Sequence, residues 1–273
     1  MSDSREWLEY FQRNAADEPA VPWEMGACIT EAELAAIGHS LQAWQLGETS
    51  DGRHLRAVAR RHAEAIGDPD FPATVDLFIA EEQRHGEMLG RFLDLAGLGR
   101  VTSNWGDSLF RLSRYFLTNI ESWTTPVLFV ESLAMVYYNA IRLATKSPVL
   151  RAICSRILAD EIPHLHYQCE RLALVMRKRP RWLFQLTMLA HQIGFLLVLN
   201  LVWLGHRRAL RAGGYGWKRY WRASWARIEW CWRLIESHRF THSRDARQRR
   251  KQGSEAHEPA CEKNRLAGSL RPS

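Results

Sequence analysis

Two short stretches of this sequence decide its fold: Glu82-Gln83-Arg84-His85 and Glu161-Ile162-Pro163-His164. Residues three apart lie on nearly the same face of an α-helix, so each Glu-x-x-His motif presents a carboxylate oxygen and an imidazole nitrogen to one point. One such motif is weak evidence, because 20 glutamates and 11 histidines in 273 residues produce about one by chance. The surroundings of the two motifs therefore carry the inference.

A further glutamate precedes each motif, Glu48 by 34 residues and Glu131 by 30 residues. An antiparallel helical hairpin brings two residues level when its turn falls halfway between them. A turn signal lies near each midpoint, Gly67-Asp68-Pro69-Asp70 in the first case and Thr145-Lys146-Ser147-Pro148 in the second. The spacing therefore predicts two hairpins, each of which brings its upstream glutamate to the depth of its own motif.

This pattern, one glutamate from each of two helices and Glu-x-x-His from each of two others, resembles the ferritin-like di-iron carboxylate superfamily over roughly residues 30–178. The resemblance implies an all-α fold, a ferritin-like four-helix bundle with additional C-terminal helices. It also implies two iron ions, with manganese or a mixed Mn/Fe pair as alternatives, and Glu82 and Glu161 as bridging carboxylates. The implied metal ligands are Glu48, Glu82, His85, Glu131, Glu161 and His164. Structural ion pairs among these residues are the alternative interpretation.

Two neighbouring residues extend the candidate site. Asp160 immediately precedes Glu161, and the resemblance implies that it hydrogen-bonds a ligand histidine across the bundle. Tyr138 follows Glu131 by two helical turns, which suits either a redox-active or proton-donating phenol or a packed core tyrosine. Pro163 frees a carbonyl one turn earlier and predicts a bend or bulge inside its helix.

Local signals place the helices of the bundle. A capping box of Thr30 and Glu33 begins the first helix, and Ser147 before Pro148 begins the fourth. The predicted helices cover about 30–66, with Glu48 near the middle, and about 72–96, 118–144 and 148–176. The segment between the second and third helices is the long crossover that such a bundle needs.

Composition indicates a globular protein of a reducing compartment. The chain is 46% hydrophobic and 11% aromatic, which is sufficient for a large core. Its five cysteines are odd in number and form no Cys-x-x-Cys motif, which argues against a disulfide framework and against a rubredoxin-type iron site. No signal peptide is recognisable at the acidic N-terminus. We therefore expect a cytoplasmic protein, with peripheral attachment to the inner face of the membrane as an open alternative.

Charge divides the chain into unlike parts. Residues 1–176 contain 16 Lys and Arg against 24 Asp and Glu, whereas residues 177–251 contain 18 against 3. Residues 182–204 carry no formal charge and are long enough to span a bilayer, but they include several polar side chains and have basic residues at both ends. The pattern favours a buried or membrane-apposed helix over a membrane-crossing one.

The basic region continues with a tryptophan-rich segment, because seven of the twelve tryptophans lie between 182 and 232. Aromatic residues recur at helical spacing over 217–235 with arginines between them. Such a helix suits an anionic membrane surface, a nucleic acid less well, or packing of its tryptophans on the bundle. We therefore divide the chain into an N-terminal extension (1–29), the di-metal bundle (30–178), a basic Trp-rich helical region (179–236) and a disordered polar tail (237–273).

The resemblance implies chemistry with dioxygen or peroxide. The sequence favours an oxidase or oxygenase that acts on a hydrophobic or small organic substrate and receives electrons from a separate donor. The ligand pattern is shared with membrane-associated quinone hydroxylases and alternative oxidases. A ferroxidase that handles iron remains an alternative. So does a metal-containing scaffold docked to membrane or nucleic acid through its C-terminal half.

Overall fold

The computed structural model describes residues 4–104, 106 and 118–255, with side chains to residue 239. This part of the chain is helical and contains no strand, so the predicted all-α class is confirmed. The helices are α1 (Ser4–Ala15), α2 (Glu31–Glu48), α3 (Arg53–Ile66), α4 (Phe71–Leu95), α5 (Ile120–Ala144), α6 (Pro148–Met176), α7 (Arg181–Ala212) and α8 (Trp217–Glu255). Most of the predicted crossover, residues 105 and 107–117, lies outside the described residues.

Capping side chains fix the helix ends that the sequence predicts. Thr30 accepts a hydrogen bond from the Glu33 amide while the Glu33 carboxylate accepts one from the Thr30 amide, which completes the capping box. The Ser147 hydroxyl accepts from the Leu150 amide at the start of α6, with Pro148 at the first helical position. The predicted bounds of the second, third and fourth bundle helices agree with α4, α5 and α6 to within two residues.

The predicted first helix is wrong as a single element, because the chain leaves the helix between residues 49 and 52. Thr-Ser-Asp-Gly at this point are turn-forming residues, and Gly52 has a positive φ of 65° that side-chain-bearing residues rarely adopt. Glu48 is consequently the last residue of α2 rather than the middle of a longer helix. Helices α2 and α4 approach each other closely at this point. A Cβ added to Gly86 of α4 would lie only 3.2 Å from the Glu48 carbonyl carbon.

Pro163 does not interrupt α6, which is α-helical throughout its 29 residues. The expected bulge is therefore absent from this helix. An interior proline costs about 3 kcal/mol. The extensive packing of α6 against α4, α5 and α8 offsets this cost.

The helices that carry the predicted ligands contact one another in the cyclic order α2, α4, α6, α5. Contacts between α2 and α4 show that these two are antiparallel. Gln42 donates to the Leu98 carbonyl, Gln45 to the Gly86 carbonyl, and Gln83 to the Ser50 carbonyl. The three-residue connection between α5 and α6 requires the same arrangement for that pair.

The remaining helices cover this four-helix core. The N-terminal extension includes α1, which packs on α4. Helix α7 packs against α2 and α5, and α8 packs against α5 and α6. The structure continues α8 as a helix to Glu255, so the predicted polar tail is helical over 237–255, where helix-favouring Arg, Gln and Ala are frequent. Residues 256–273 lie outside the described residues.

Candidate metal centre

The structure brings together the six side chains that the sequence singles out. They come from four helices and meet in the interior of the core. Their positions are Glu48 at the end of α2, Glu82 and His85 on α4, Glu131 on α5, and Glu161 and His164 on α6. Five of them are buried, and the Glu82 side chain is only 19% exposed.

The six residues form two groups that share one carboxylate. One ligand atom from each of Glu82, Glu131, Glu161 and His164 lies within 4.8 Å of the others. Glu48, Glu82 and His85 form a second group with the same spacing. Glu82 therefore belongs to both groups, as the predicted bridging carboxylate would. Glu161 belongs to the first group only, so its bridging role stays a prediction.

Both histidines turn the same nitrogen toward the carboxylates. The Nδ1 atom of His164 lies 2.9 Å from Glu82 Oε1 and 3.6 Å from Glu161 Oε2. The Nδ1 atom of His85 lies 4.0 Å from Glu82 Oε1. Each imidazole thus offers Nδ1 to the centre and Nε2 to the surrounding protein.

The opposite nitrogens face carboxylates that directly precede the two motifs. His85 Nε2 is hydrogen-bonded to Asp160 Oδ2 at 3.0 Å, and His164 Nε2 lies 3.3 Å from Glu81 Oε1. The hydrogen bond to Asp160 places the His85 proton on Nε2 and leaves its Nδ1 lone pair for a metal. At His164 the contact with Glu81 is an ion-pair contact without an aligned hydrogen bond. The contact of Asp160 with a histidine across the bundle agrees with the expectation from the sequence.

Glu81 was not identified by the sequence reasoning, although a signal was present. Each Glu-x-x-His motif is preceded by a second acidic residue, Glu81 before Glu82 and Asp160 before Glu161. Asp160 of α6 contacts the histidine of α4, and Glu81 of α4 contacts the histidine of α6. Considering the motifs as a pair would have revealed this relationship.

Helix α1 holds these two outer carboxylates. The Asn14 side-chain amide donates to Glu81 Oε1 at 2.6 Å and to Asp160 Oδ1 at 3.2 Å. Arg156 donates to Asp160 at 2.8 Å and to the Asn14 side-chain oxygen at 2.8 Å. Nothing in the spacing of the motifs indicated that the N-terminal extension would contribute to the candidate site.

Tyr138 lies at the opposite end of the centre. Its buried hydroxyl donates to Glu48 Oε1 at 2.6 Å. Its ring packs edge-on against Trp44 with a centroid separation of 5.6 Å. Tyr138 is therefore a packed core tyrosine, and its phenol also donates a hydrogen bond directly to a candidate ligand.

Burial and mutual repulsion shift the pKa values of the clustered glutamates. Burial, followed by repulsion from Glu82 and Glu161, raises the pKa of Glu48 well above its usual value. Burial and the charge of Glu161 raise the pKa of Glu131 in the same way, and burial also raises the pKa of Glu161. Burial opposes ionisation of Glu82, but the neighbouring His164 outweighs it and holds the pKa of Glu82 at about 2.

The buried polar atoms fit bound cations better than ion pairs alone. Among the described residues, no well-aligned hydrogen bond reaches either carboxylate oxygen of Glu131, Glu161 Oε2 or His85 Nδ1, and His164 Nδ1 faces Glu82 Oε1 at 2.9 Å without one. Buried polar atoms without a partner are costly, and all of these atoms belong to the six clustered side chains. Four carboxylates against two imidazoles leave an excess of negative charge that two divalent cations would neutralise.

A small apolar cavity lies beside the centre. It has a volume of about 30 Å³, and its lining includes Phe78, Trp123, Val127, Tyr167 and Gln168. The Phe78 ring lies 4.9 Å from the His164 ring. The cavity has room for one molecule the size of water.

No protein-family model, curated protein or solved structure matches this chain. Inferences about its function therefore rest on its own residues and their arrangement.

Proposed function

We propose that this protein is a ferritin-like di-metal carboxylate protein that binds two iron ions and uses dioxygen or peroxide to oxidise a small or hydrophobic organic substrate. The observation that carries the proposal is the convergence of six candidate ligand side chains from four helices, five of them buried, in two groups that share Glu82. Four carboxylates and two imidazoles suit iron or manganese, which prefer oxygen and nitrogen ligands. A bound pair of such ions supplies the electrons for reduction of the oxidant.

The chain's own residues have separable roles in this proposal. Glu48 and His85 would hold one ion, Glu131 and His164 would hold the other, and Glu82 would join them. Asp160 keeps the His85 proton at Nε2, so that Nδ1 remains a ligand atom, and Glu81 lies 3.3 Å from the corresponding nitrogen of His164.

Tyr138 and the adjacent cavity support chemistry with a small oxidant. The Tyr138 hydroxyl oxygen lies 2.6 Å from Glu48 Oε1 and donates its proton to this hydrogen bond. The proton can therefore move between the phenol and the carboxylate. The cavity of about 30 Å³ has mostly apolar walls suited to a small uncharged molecule. Both features lie next to the six ligands rather than elsewhere in the core.

Anaerobic titration with ferrous iron tests the proposal. We expect full-length protein to bind two ferrous ions per chain and, on exposure to oxygen, to develop the near-ultraviolet absorption of oxo-bridged ferric iron. We expect the variant with Glu82→Ala and Glu161→Ala to lose both the stoichiometric uptake and the absorption. Glu87→Ala is a matched control, because Glu87 is an exposed glutamate on the same helix as Glu82 and pairs with Arg100.

Two outcomes would contradict the proposal. Wild-type protein that takes up no iron, manganese or mixture of the two would leave the cluster as a set of structural ion pairs. Uptake that persists unchanged in the double variant would place the metal elsewhere. Iron that accumulates far beyond two ions per chain after oxygen exposure would instead identify a ferroxidase that stores iron.

A further inference from the structure

One face of α7 is apolar and exposed along most of the helix. Its outward residues recur at intervals of three, four or seven positions, which places them in one line along an α-helix. We call this line the apolar stripe, and it consists of Trp182, Leu186, Leu189, Ile193, Leu197 and Leu204, each 52–63% exposed. The stripe runs from residue 182 to residue 204, and its 22 steps of 1.5 Å give a length of about 33 Å. Asn200 is an exposed polar residue on the same line, and its amide donates to the Leu196 carbonyl at 2.7 Å. An exposed apolar surface of this length indicates a binding surface.

The opposite face of α7 is fixed to the core. Phe195 and Leu199 are fully buried, and the Phe129 ring of α5 packs against Phe195 at a centroid separation of 5.6 Å. Two described helices, α5 and α7, are long and apolar enough to cross a membrane. The most apolar stretch of α5 is 67% buried in the protein, whereas that of α7 is only 22% buried. Because α7 has one face in the protein core and the other outside, it suits a position along a membrane surface rather than across it.

Basic residues surround the stripe at both ends. Arg177 and Lys178 precede it, and Arg207, Arg208 and Arg211 follow it, all of them exposed. A helix that crosses a bilayer has its two ends on opposite sides, whereas a helix that lies in the interface keeps both ends among the headgroups. Cations at both ends therefore favour the in-plane orientation.

A shallow groove at the start of α8 adjoins the carboxyl end of the stripe. It is lined by Trp217, Lys218, Trp221 and Arg222, and has a volume of about 300 Å³. The Trp217 ring packs edge-on against Trp203 of α7 at 5.3 Å, next to Leu204 in the chain. Two indoles and two cations around an open groove match the headgroup and upper acyl region of an anionic lipid.

We propose that the apolar stripe and the groove together dock this protein on the surface of a bilayer that contains anionic lipid, with α7 parallel to the membrane plane. The stripe enters the boundary between headgroups and acyl chains, while the surrounding arginines contact lipid phosphates. A second copy of the chain fits this surface less well. Both ends of the stripe are basic, so two-fold pairing brings arginine clusters together in either direction. This docking does not depend on metal binding.

Vesicle flotation with the full-length protein tests the proposal. We expect the protein to float with phosphatidylcholine vesicles that contain 30% phosphatidylglycerol, and to bind vesicles of pure phosphatidylcholine at least tenfold more weakly. The triple variant Leu189→Gln, Ile193→Gln and Leu197→Gln should lose binding to the anionic vesicles at least tenfold. Its three positions are exposed, so the variant should fold with an unchanged circular dichroism spectrum.

The matched control changes exposed apolar residues on other faces. Ile66→Gln and Leu143→Gln alter side chains that are each 52% exposed, as exposed as Leu189. Flotation should not change in this double variant. Lys218→Glu with Arg222→Glu should remove the preference for anionic vesicles, because it reverses the charge of the groove.

Three results would overturn the proposal. Full-length protein that floats with neither vesicle type would show that the surface does not bind lipid. A wild-type dimer that the triple variant converts to a monomer, without vesicle binding by either, would assign the stripe to a second copy. Protein that stays with the membrane fraction after alkaline carbonate extraction would show that α7 crosses the bilayer.

Discussion

Replacing Glu131 with glutamine should stabilise the metal-free protein while weakening its response to metal. The Glu131 side chain is 4% exposed, and its carboxylate makes no well-aligned hydrogen bond among the described residues. Burial raises the pKa of this carboxyl, although Gln168 lies near enough to lower it slightly. A buried carboxylate without a partner costs several kcal/mol, whereas a buried amide without a partner costs about 1–3 kcal/mol. We therefore expect a gain of about 2 kcal/mol for metal-free Glu131→Gln at pH 7.5. This corresponds to a Tm higher by roughly 4–8 °C for a chain of this size.

The pH dependence gives this prediction a definite sign. Burial and the charge of Glu161 raise the pKa of Glu131 above the value of 4.5 that it has when exposed. The wild-type side chain is therefore tolerated below pH 4.5 and destabilises the fold progressively as the pH rises. The advantage of Glu131→Gln should be largest at pH 7.5 and should shrink toward pH 4.5.

Metal should reduce the stability advantage of Glu131→Gln, from about 2 kcal/mol to about 0.7 kcal/mol. Ferrous iron at 100 times its dissociation constant stabilises the wild-type protein by about 2.7 kcal/mol. A tenfold loss of affinity in Glu131→Gln would reduce this gain to about 1.4 kcal/mol at the same concentration. Anaerobic thermal denaturation with and without ferrous iron measures both effects. Glu64→Gln, which changes an exposed glutamate of α3, is the control. Lower stability of metal-free Glu131→Gln, or an undiminished response to iron, would refute the reasoning.

Three further predictions concern the surroundings of the centre. Asp160→Asn removes the acceptor that fixes the His85 tautomer, so metal affinity in a chelator competition should fall about 10–100-fold. Tyr138→Phe removes the buried hydrogen bond to Glu48, which should lower the free energy of unfolding by about 1–3 kcal/mol in chemical denaturation because a buried Glu48 oxygen loses its partner. Burial lowers the pKa of His191 from 6.5 to about 4, so the unfolded state binds the extra proton and stability should fall by up to about 3 kcal/mol as the pH drops from 6.5 to 4. His191→Gln should flatten this part of the pH profile.

Each of these changes has a matched control. Asp94→Asn alters an exposed, ion-paired aspartate and should leave metal affinity unchanged. Tyr10→Phe alters a partly exposed tyrosine of α1 and should cost less than Tyr138→Phe. His39→Gln alters an exposed histidine and should not change the pH profile. Equal effects in a variant and its control would show that the proposed contact has no special role.

The sequence predicted the helices that carry the ligands because the signals that define them are local. Capping residues, a proline at the first helical position and glycine-rich turns act within a few residues of each helix end. The bounds of α4, α5 and α6 follow from them. The division of the first helix was missed because its turn residues, 49–52, lie inside a long helical pattern and are few.

The six clustered side chains were predictable because they follow from helical periodicity and hairpin symmetry, which are properties of spacing. The supporting contacts were not predictable in the same way. Asn14 reaches Glu81 from 67 residues away and Asp160 from 146 residues away, and no spacing rule connects α1 to the two motifs. Contacts of this kind depend on how separate helices pack, which the side-chain pattern of one helix does not specify.

The sequence by itself determined the all-α class, the ends of the main helices and the identity of the six residues that meet in the core. Each of these depends on interactions between residues close together in the chain or on a repeated spacing. The tertiary structure alone decided that Glu81 of α4 contacts His164 of α6. It also decided that α1 covers the carboxylates of Glu81 and Asp160 and that α7 leaves an apolar face outside. These features arise from the packing of whole helices, where burial and charge depend on distant neighbours.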